Sequence, residues 1–170
     1  MVKVIKNVLT NDERKKLLKD VQPLLVDGTT LAAYYESINR YPGKQTHDTL
    51  HLHPHYIPTL NHMVELISKE MGKNFVLKKA WVNWTNGKKK DIGWHHHGMD
   101  CEYAAVYYMK IFPLFSNGTL FRDGLVKAPQ NSILVFPADL DHTAPSSPLR
   151  FDRYTMALNL DVIVGHRSLI

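Results

Sequence analysis

The sequence predicts a mainly β protein with supporting helices, and three observations lead there. From Phe75 onward, short strand-like runs rich in Val, Ile, Tyr and Phe are punctuated by turn signals at intervals of roughly 8–12 residues. Helical periodicity is confined to residues 1–73. A continuous apolar run, Ile133-Leu134-Val135-Phe136, has the length of a strand buried on both faces. Together these features predict a sandwich or barrel with helices covering one side of a sheet.

The bulk properties fit that reading. At 170 residues, with 44% hydrophobic and 22% charged residues, the chain has the size and balance of one ordinary soluble domain, 1–170. It divides into a mostly helical support, 1–73, and a β core, 74–164. A single cysteine, Cys101, excludes an internal disulfide framework. No apolar run approaches the roughly 18–20 residues of a membrane span, and the N-terminus has no signal-like segment, so the expected location is cytoplasmic. Much of the net charge of +5 sits in Lys88-Lys89-Lys90. Such a patch can attract nucleic acid or an anionic substrate, but a solvated loop is the favoured reading.

In chain order, residues 2–9 read as an opening strand. Thr10-Asn11-Asp12-Glu13 has capping-box form, and Leu17, Leu18, Val21, Leu24 and Leu25 follow at helical spacing, giving a helix over about 11–25 that Asp27-Gly28 ends. Residues 29–55 are expected to be irregular, turning at Tyr41-Pro42-Gly43. They hold His47, His51, His53 and His55, which are read as loop or substrate-facing histidines rather than a second metal site. Tyr56–Met71 is a second helix, with Pro58 in its first turn and Gly72 as its stop. Then come a strand from Phe75 to Trp84, a hairpin signal at Asn86-Gly87 and a strand over Tyr103–Ile111. Turns are expected at Asn117-Gly118 and Asp123-Gly124, and a last strand runs over 153–164.

The chemistry concentrates in Gly93-Trp94-His95-His96-His97-Gly98-Met99-Asp100 and in the later His142. On an extended chain, residues i and i+2 share a face with Cα atoms roughly 6.5 Å apart. His95 and His97 can therefore both reach one ion at about 2.1 Å. His142 would complete a three-histidine set. Asp100 is the alternative carboxylate ligand and would give the two-histidine, one-carboxylate triad of non-haem iron oxygenases.

These stretches resemble the 2-oxoglutarate- and Fe(II)-dependent dioxygenases, in their prolyl-hydroxylase-like branch. The similarity runs over about residues 81–163. It is carried by Trp94-His95-His96-His97, Val106-Tyr107-Tyr108-Met109, Gly118-Thr119-Leu120-Phe121 and Asn131-Ser132-Ile133-Leu134-Val135-Phe136-Pro137. It continues through His142-Thr143-Ala144-Pro145 and Arg153-Tyr154-Thr155-Met156-Ala157-Leu158-Asn159. The resemblance implies a double-stranded β-helix, a cupin-like jelly roll. It makes His142 the distal iron ligand and Arg153, 11 positions later, the partner of the distal carboxylate of 2-oxoglutarate, with Arg150 as its rival. Tyr108 resembles the tyrosine that helps hold the same carboxylate.

The implied reaction couples oxidative decarboxylation of 2-oxoglutarate to succinate with hydroxylation of an unidentified substrate. It uses O2 and Fe(II), with ascorbate as reductant. The chain departs from the usual histidine-any-aspartate motif, since no such triplet occurs in the stretch. Two other readings compete: a three-histidine dioxygenase that does not use 2-oxoglutarate, and a non-catalytic metal- or ligand-binding jelly-roll module.

Overall fold

The computed structural model describes residues 1–34, 41–86, 93–114, 117–147 and 149–164. Its framework is a seven-stranded sheet facing a three-stranded one. The strands are β1 (Lys3–Lys6), β2 (Val26–Asp27), β3 (Lys44–Gln45), β4 (Phe75–Thr85), β5 (Tyr103–Lys110), β6 (Thr119–Phe121), β7 (Gly124–Val126), β8 (Ser132–Pro137), β9 (His142–Thr143) and β10 (Arg153–Val162). The large sheet runs β1-β8-β5-β10-β4-β3-β2 and the small one β7-β6-β9. All named strand pairs are antiparallel. The expected mainly β jelly roll is therefore what the chain forms.

The helices are α1 (Asn11–Val21), α2 (Gly28–Tyr34) and α3 (Ile57–Met71). Thr10 caps α1 in the full capping box: its hydroxyl accepts from the Glu13 amide at 3.2 Å, and the Glu13 carboxylate accepts from the Thr10 amide at 2.8 Å. The helix stops at Val21, short of the expected residue 25. Pro23 has no N–H to continue the ladder, and Gln22–Leu24 tightens into a 3-10 turn. Gly72 ends α3 in the left-handed conformation, φ 64°. The interval 29–55 is less irregular than expected. It contains most of α2, the strand β3 and a 3-10 turn at Leu50–Leu52.

Strand alternation divides the large sheet into two faces. Tyr154, Met156, Leu158 and Leu160 of β10 join Ala80 and Val82 of β4 and Tyr107 and Met109 of β5 in one core, closed by Leu17 and Val21 of α1 and Leu60, Met63 and Ile67 of α3. The opposite face carries Lys79, Trp81 and Asn83 of β4 and Arg153, Thr155, Ala157 and Asn159 of β10. It lines a cavity of about 540 Å³. The core thus fixes a rigid wall whose other side is free for chemistry.

One local signal misled. Asn86-Gly87 predicts a β4–β5 hairpin, yet β10 lies between those two strands, so they never pair. Gly87 and the Lys88–Lys90 loop lie outside the described residues. The other turns form as expected: Gly118 and Gly124 have φ of 118° and 130°, and Asp123-Gly124 joins β6 to β7. Asn131 also takes a positive φ, 63°. Its side chain accepts from the Leu9 amide at 3.0 Å and from the Tyr107 hydroxyl at 2.9 Å, which holds the chain in that conformation. Among the described residues, no helix is long and apolar enough to cross a membrane.

Candidate metal centre and anion pocket

The triple-histidine stretch is pinned to β9 and to the loop before it. The backbones of His95 and His142 exchange two hydrogen bonds, at 3.1 and 2.9 Å, and the His97 amide donates to the Ala138 carbonyl at 2.7 Å. His95 forms one isolated bridge rather than part of a regular strand. The i, i+2 geometry survives nonetheless. One ring nitrogen each of His95, His97 and His142 lies within 4.8 Å of the others. His96 is exposed, and its Nδ1 accepts from the Gly98 amide at 3.2 Å. The Asp100 carboxylate is not drawn into the group; its side chain is exposed, and its backbone carbonyl accepts from Lys78 Nζ at 2.7 Å. Among the described residues, this cluster is the one place where three such side chains converge.

The protonation of the rings follows from their partners. Nδ1 of His95 faces the Gly93 carbonyl at 2.9 Å, and Nδ1 of His142 faces the Leu140 carbonyl at 2.8 Å. A carbonyl only accepts, so Nδ1 carries the proton in both rings and Nε2 keeps its lone pair. Such a contact commonly orients a metal-ligating imidazole. Burial, reinforced by His95 and His142, lowers the His97 pKa to about 3. Burial likewise lowers that of His142 to about 4, against the opposing effect of the hydrogen bond its Nδ1 donates to the Leu140 carbonyl. Both rings are neutral at pH 7, the form that binds a metal. The donor set fits a divalent transition ion.

These shifts have a stability consequence. Below a pH of about 6.5, histidines of the unfolded chain take up protons that His97 and His142 refuse in the folded state. Stability is full above that pH and is expected to fall progressively toward pH 4. Urea midpoints of metal-free protein across this range check it: a midpoint insensitive to pH, or one rising on acidification, contradicts the assignment.

A second feature lies in the same cavity. Arg153, at the start of β10, is only 5% exposed. Its Nη2 donates to the Gly118 carbonyl at 3.1 Å, while its Nε has no partner. It forms no ion pair with a carboxylate among the described residues. A buried charge without a counter-ion is costly unless an anion completes it. The guanidinium lies 5.7 Å from the centre of the Tyr108 ring. Tyr108 is fully buried, its hydroxyl is 2.6 Å from Thr119 Oγ1, and burial pushes its pKa up to about 12. It is a neutral phenol at physiological pH. Arg150, the rival, is exposed.

Gly118 holds this corner together. A Cβ there would lie 2.0 Å from the Val126 carbonyl oxygen, and its φ of 118° disfavours any L side chain. Gly118→Ala is expected to cost on the order of 1–3 kcal/mol and to disturb the carbonyl that orients Arg153. Thermal unfolding checks it; an unchanged midpoint contradicts it.

The four histidines between residues 47 and 55 disperse. His47 packs edge-on against Tyr34, His53 lies tilted against Tyr56, and His55 Nε2 lies 2.8 Å from the Asp20 carboxylate. His51 sits in the 3-10 turn. None of the four lines the cavity. Sequence reasoning missed other groups that do: Tyr41, Trp81, Thr119 and Asn159. Trp81 lies 5.7 Å from His97, ring centre to ring centre. Only the alternation of β4 and β10 could have flagged Trp81 and Asn159.

No family model matches the chain, and no curated protein is significantly similar to it in sequence. Solved structures do match. The viral collagen prolyl hydroxylase of Paramecium bursaria Chlorella virus-1 aligns with a TM-score of 0.64 at 12% identity, over 96% of this chain and 90% of that one. A prolyl hydroxylase of Trichoplax adhaerens, in complex with a peptide fragment of the hypoxia inducible factor oxygen degradation domain, gives 0.65 at 15%, over 94% and 82%. The epimerase SnoN, in complex with Fe3+, α-ketoglutarate and nogalamycin RO, gives 0.66 at 14%, over 94% and 78%. At such identities the likeness concerns the fold. The chain has the jelly-roll fold found in 2-oxoglutarate/Fe(II) oxygenases.

Proposed function

We propose that the protein is a 2-oxoglutarate- and Fe(II)-dependent oxygenase that hydroxylates its substrate. The observation carrying this reading is the buried Arg153 guanidinium, lacking an acidic partner among the described residues, in the same cavity as the three converging imidazoles. In this reading His95, His97 and His142 hold the iron, and Arg153 holds the distal carboxylate of 2-oxoglutarate through its planar fork. When bound, the iron supplies the oxygen-activating redox chemistry.

The side chains do the positioning. The Gly93 and Leu140 carbonyls fix the His95 and His142 tautomers. The Gly118 carbonyl and the Tyr108 face set the plane of Arg153, and Thr119 and Tyr108 present hydroxyls beside it. Phe136, with its ring centre 4.7 Å from that of His142, packs against that imidazole and buries it. Three neutral ligands leave the full charge of a divalent ion uncompensated. Together with Arg153, that charge favours a dianion such as 2-oxoglutarate.

The absence of a carboxylate from the cluster favours the second reading, a three-histidine dioxygenase that needs no keto acid. Arg153 separates the two, because that chemistry has no use for a buried guanidinium. The test is succinate formation from 2-oxoglutarate with Fe(II), ascorbate and O2. Metal binding without keto-acid turnover or binding would favour the second reading. Purified protein is expected to carry nickel or zinc, which outcompete Fe(II) at such sites.

A further inference from the structure

The cavity has a second polar end, away from Arg153. Asn159 is 2% exposed and lines the cavity, yet its Oδ1 has no hydrogen-bond partner. Directly opposite on β4 is Lys79, whose Nζ lies 3.4 Å from the Asp48 carboxylate; both also line the cavity. Two residues along β4 on the same face is Trp81, packed against His97. An orphaned acceptor, an ammonium, a carboxylate and an indole thus share one wall beside the imidazole cluster.

We infer that this end of the cavity binds a small zwitterion, an α-amino acid or close analogue, as the molecule that is oxidised. The proposal rests on the oxygenase reading above. The charges select the class. An orphaned carbonyl oxygen requires a donor, which a simple anion lacks and an ammonium supplies. A ligand of one charge would match only one member of the Lys79–Asp48 pair. A zwitterion keeps both satisfied, its ammonium toward Asp48 and Asn159 and its carboxylate toward Lys79. Trp81 gives an apolar surface along which the substrate side chain reaches the imidazole cluster. The volume suits a small molecule rather than a folded partner.

The balanced reaction consumes one substrate C–H bond, one O2 and one 2-oxoglutarate. It yields one C–OH bond, succinate and CO2. One oxygen atom enters the substrate and the other enters succinate, and decarboxylation of the keto acid supplies two electrons.

The experiment measures succinate formation by the Fe(II)-loaded protein with a panel of free L-amino acids, each compared with its N-acetyl amide. A calorimetric titration of the same amino acids runs alongside. At least one free amino acid is expected to accelerate succinate formation and acquire a hydroxyl, while its blocked form does neither. Lys79→Met and Asp48→Asn, both at partly exposed positions, are expected to raise its KM by about 10- to 100-fold, the range for a charge-assisted hydrogen bond. If 2-oxoglutarate is turned over but no free amino acid binds or accelerates it, or the blocked forms serve equally well, the zwitterion site is overturned and the oxygenase reading stands. If 2-oxoglutarate is neither bound nor consumed, the oxygenase reading falls, and with it the role of amino acids as the oxidised substrate. Calorimetric binding sensitive to Lys79→Met would then leave the site as a binding site alone.

Discussion

His142→Ala is expected to abolish stoichiometric metal binding and, with it, all oxygenase turnover. His142 is the member of the cluster that comes from later in the chain, 45 positions after His97, and it is 5% exposed. Losing a contact outside the ligand set typically costs 10–100-fold in metal affinity or activity; losing a ligand is expected to exceed that. The fold should persist, because the β6–β9 and His95–His142 pairings are made by backbone atoms that alanine retains. Metal content by elemental analysis, with circular dichroism as the folding control, checks the prediction. A folded His142→Ala protein that keeps one tightly bound metal would remove His142 from the centre.

Arg153→Leu gives the second large effect. It is expected to weaken 2-oxoglutarate binding by at least about 100-fold, since two charge-assisted hydrogen bonds are lost together. Arg153→Lys should recover only part of that, because an ammonium keeps the charge without the fork. The stability readout has the opposite sign to that of an ordinary core truncation. A buried guanidinium without an acidic partner among the described residues burdens the ligand-free protein, so Arg153→Leu should leave its melting temperature unchanged or raise it. A sharp loss of stability would mean that Arg153 is a structural residue.

Much of this site was legible because it is written in residue types with few alternatives. Three adjacent imidazoles, a later histidine and an arginine opening a strand each carry chemistry that the structure places in one cavity. The ligand register was not legible: the sequence alone left both Asp100 and a third histidine open. The backbone pairing of His95 with His142 brings the imidazoles together and leaves the Asp100 carboxylate out of the group.

The fold divides in the same way. The capping box at Thr10, Gly72 after α3 and Asp123-Gly124 are local signals for local structure, and each forms. Asn86-Gly87 is equally local but was asked a global question, namely which strand β4 pairs with. Sheet order answered it by placing β10 between β4 and β5. Trp81 and Asn159 went unseen for the complementary reason. Alternation along β4 and β10 sets them on the face opposite the core, but nothing in the sequence says that this face lines a cavity rather than solvent or a second core.

The most direct measurement is a calorimetric titration of 2-oxoglutarate into protein loaded with Mn(II), under conditions where no turnover occurs. Binding is expected at one keto acid per bound metal, to vanish when the metal is removed, and to be lost in Arg153→Leu. Undiminished binding to the Arg153→Leu protein, or metal-loaded protein that binds no 2-oxoglutarate, would contradict the oxygenase reading.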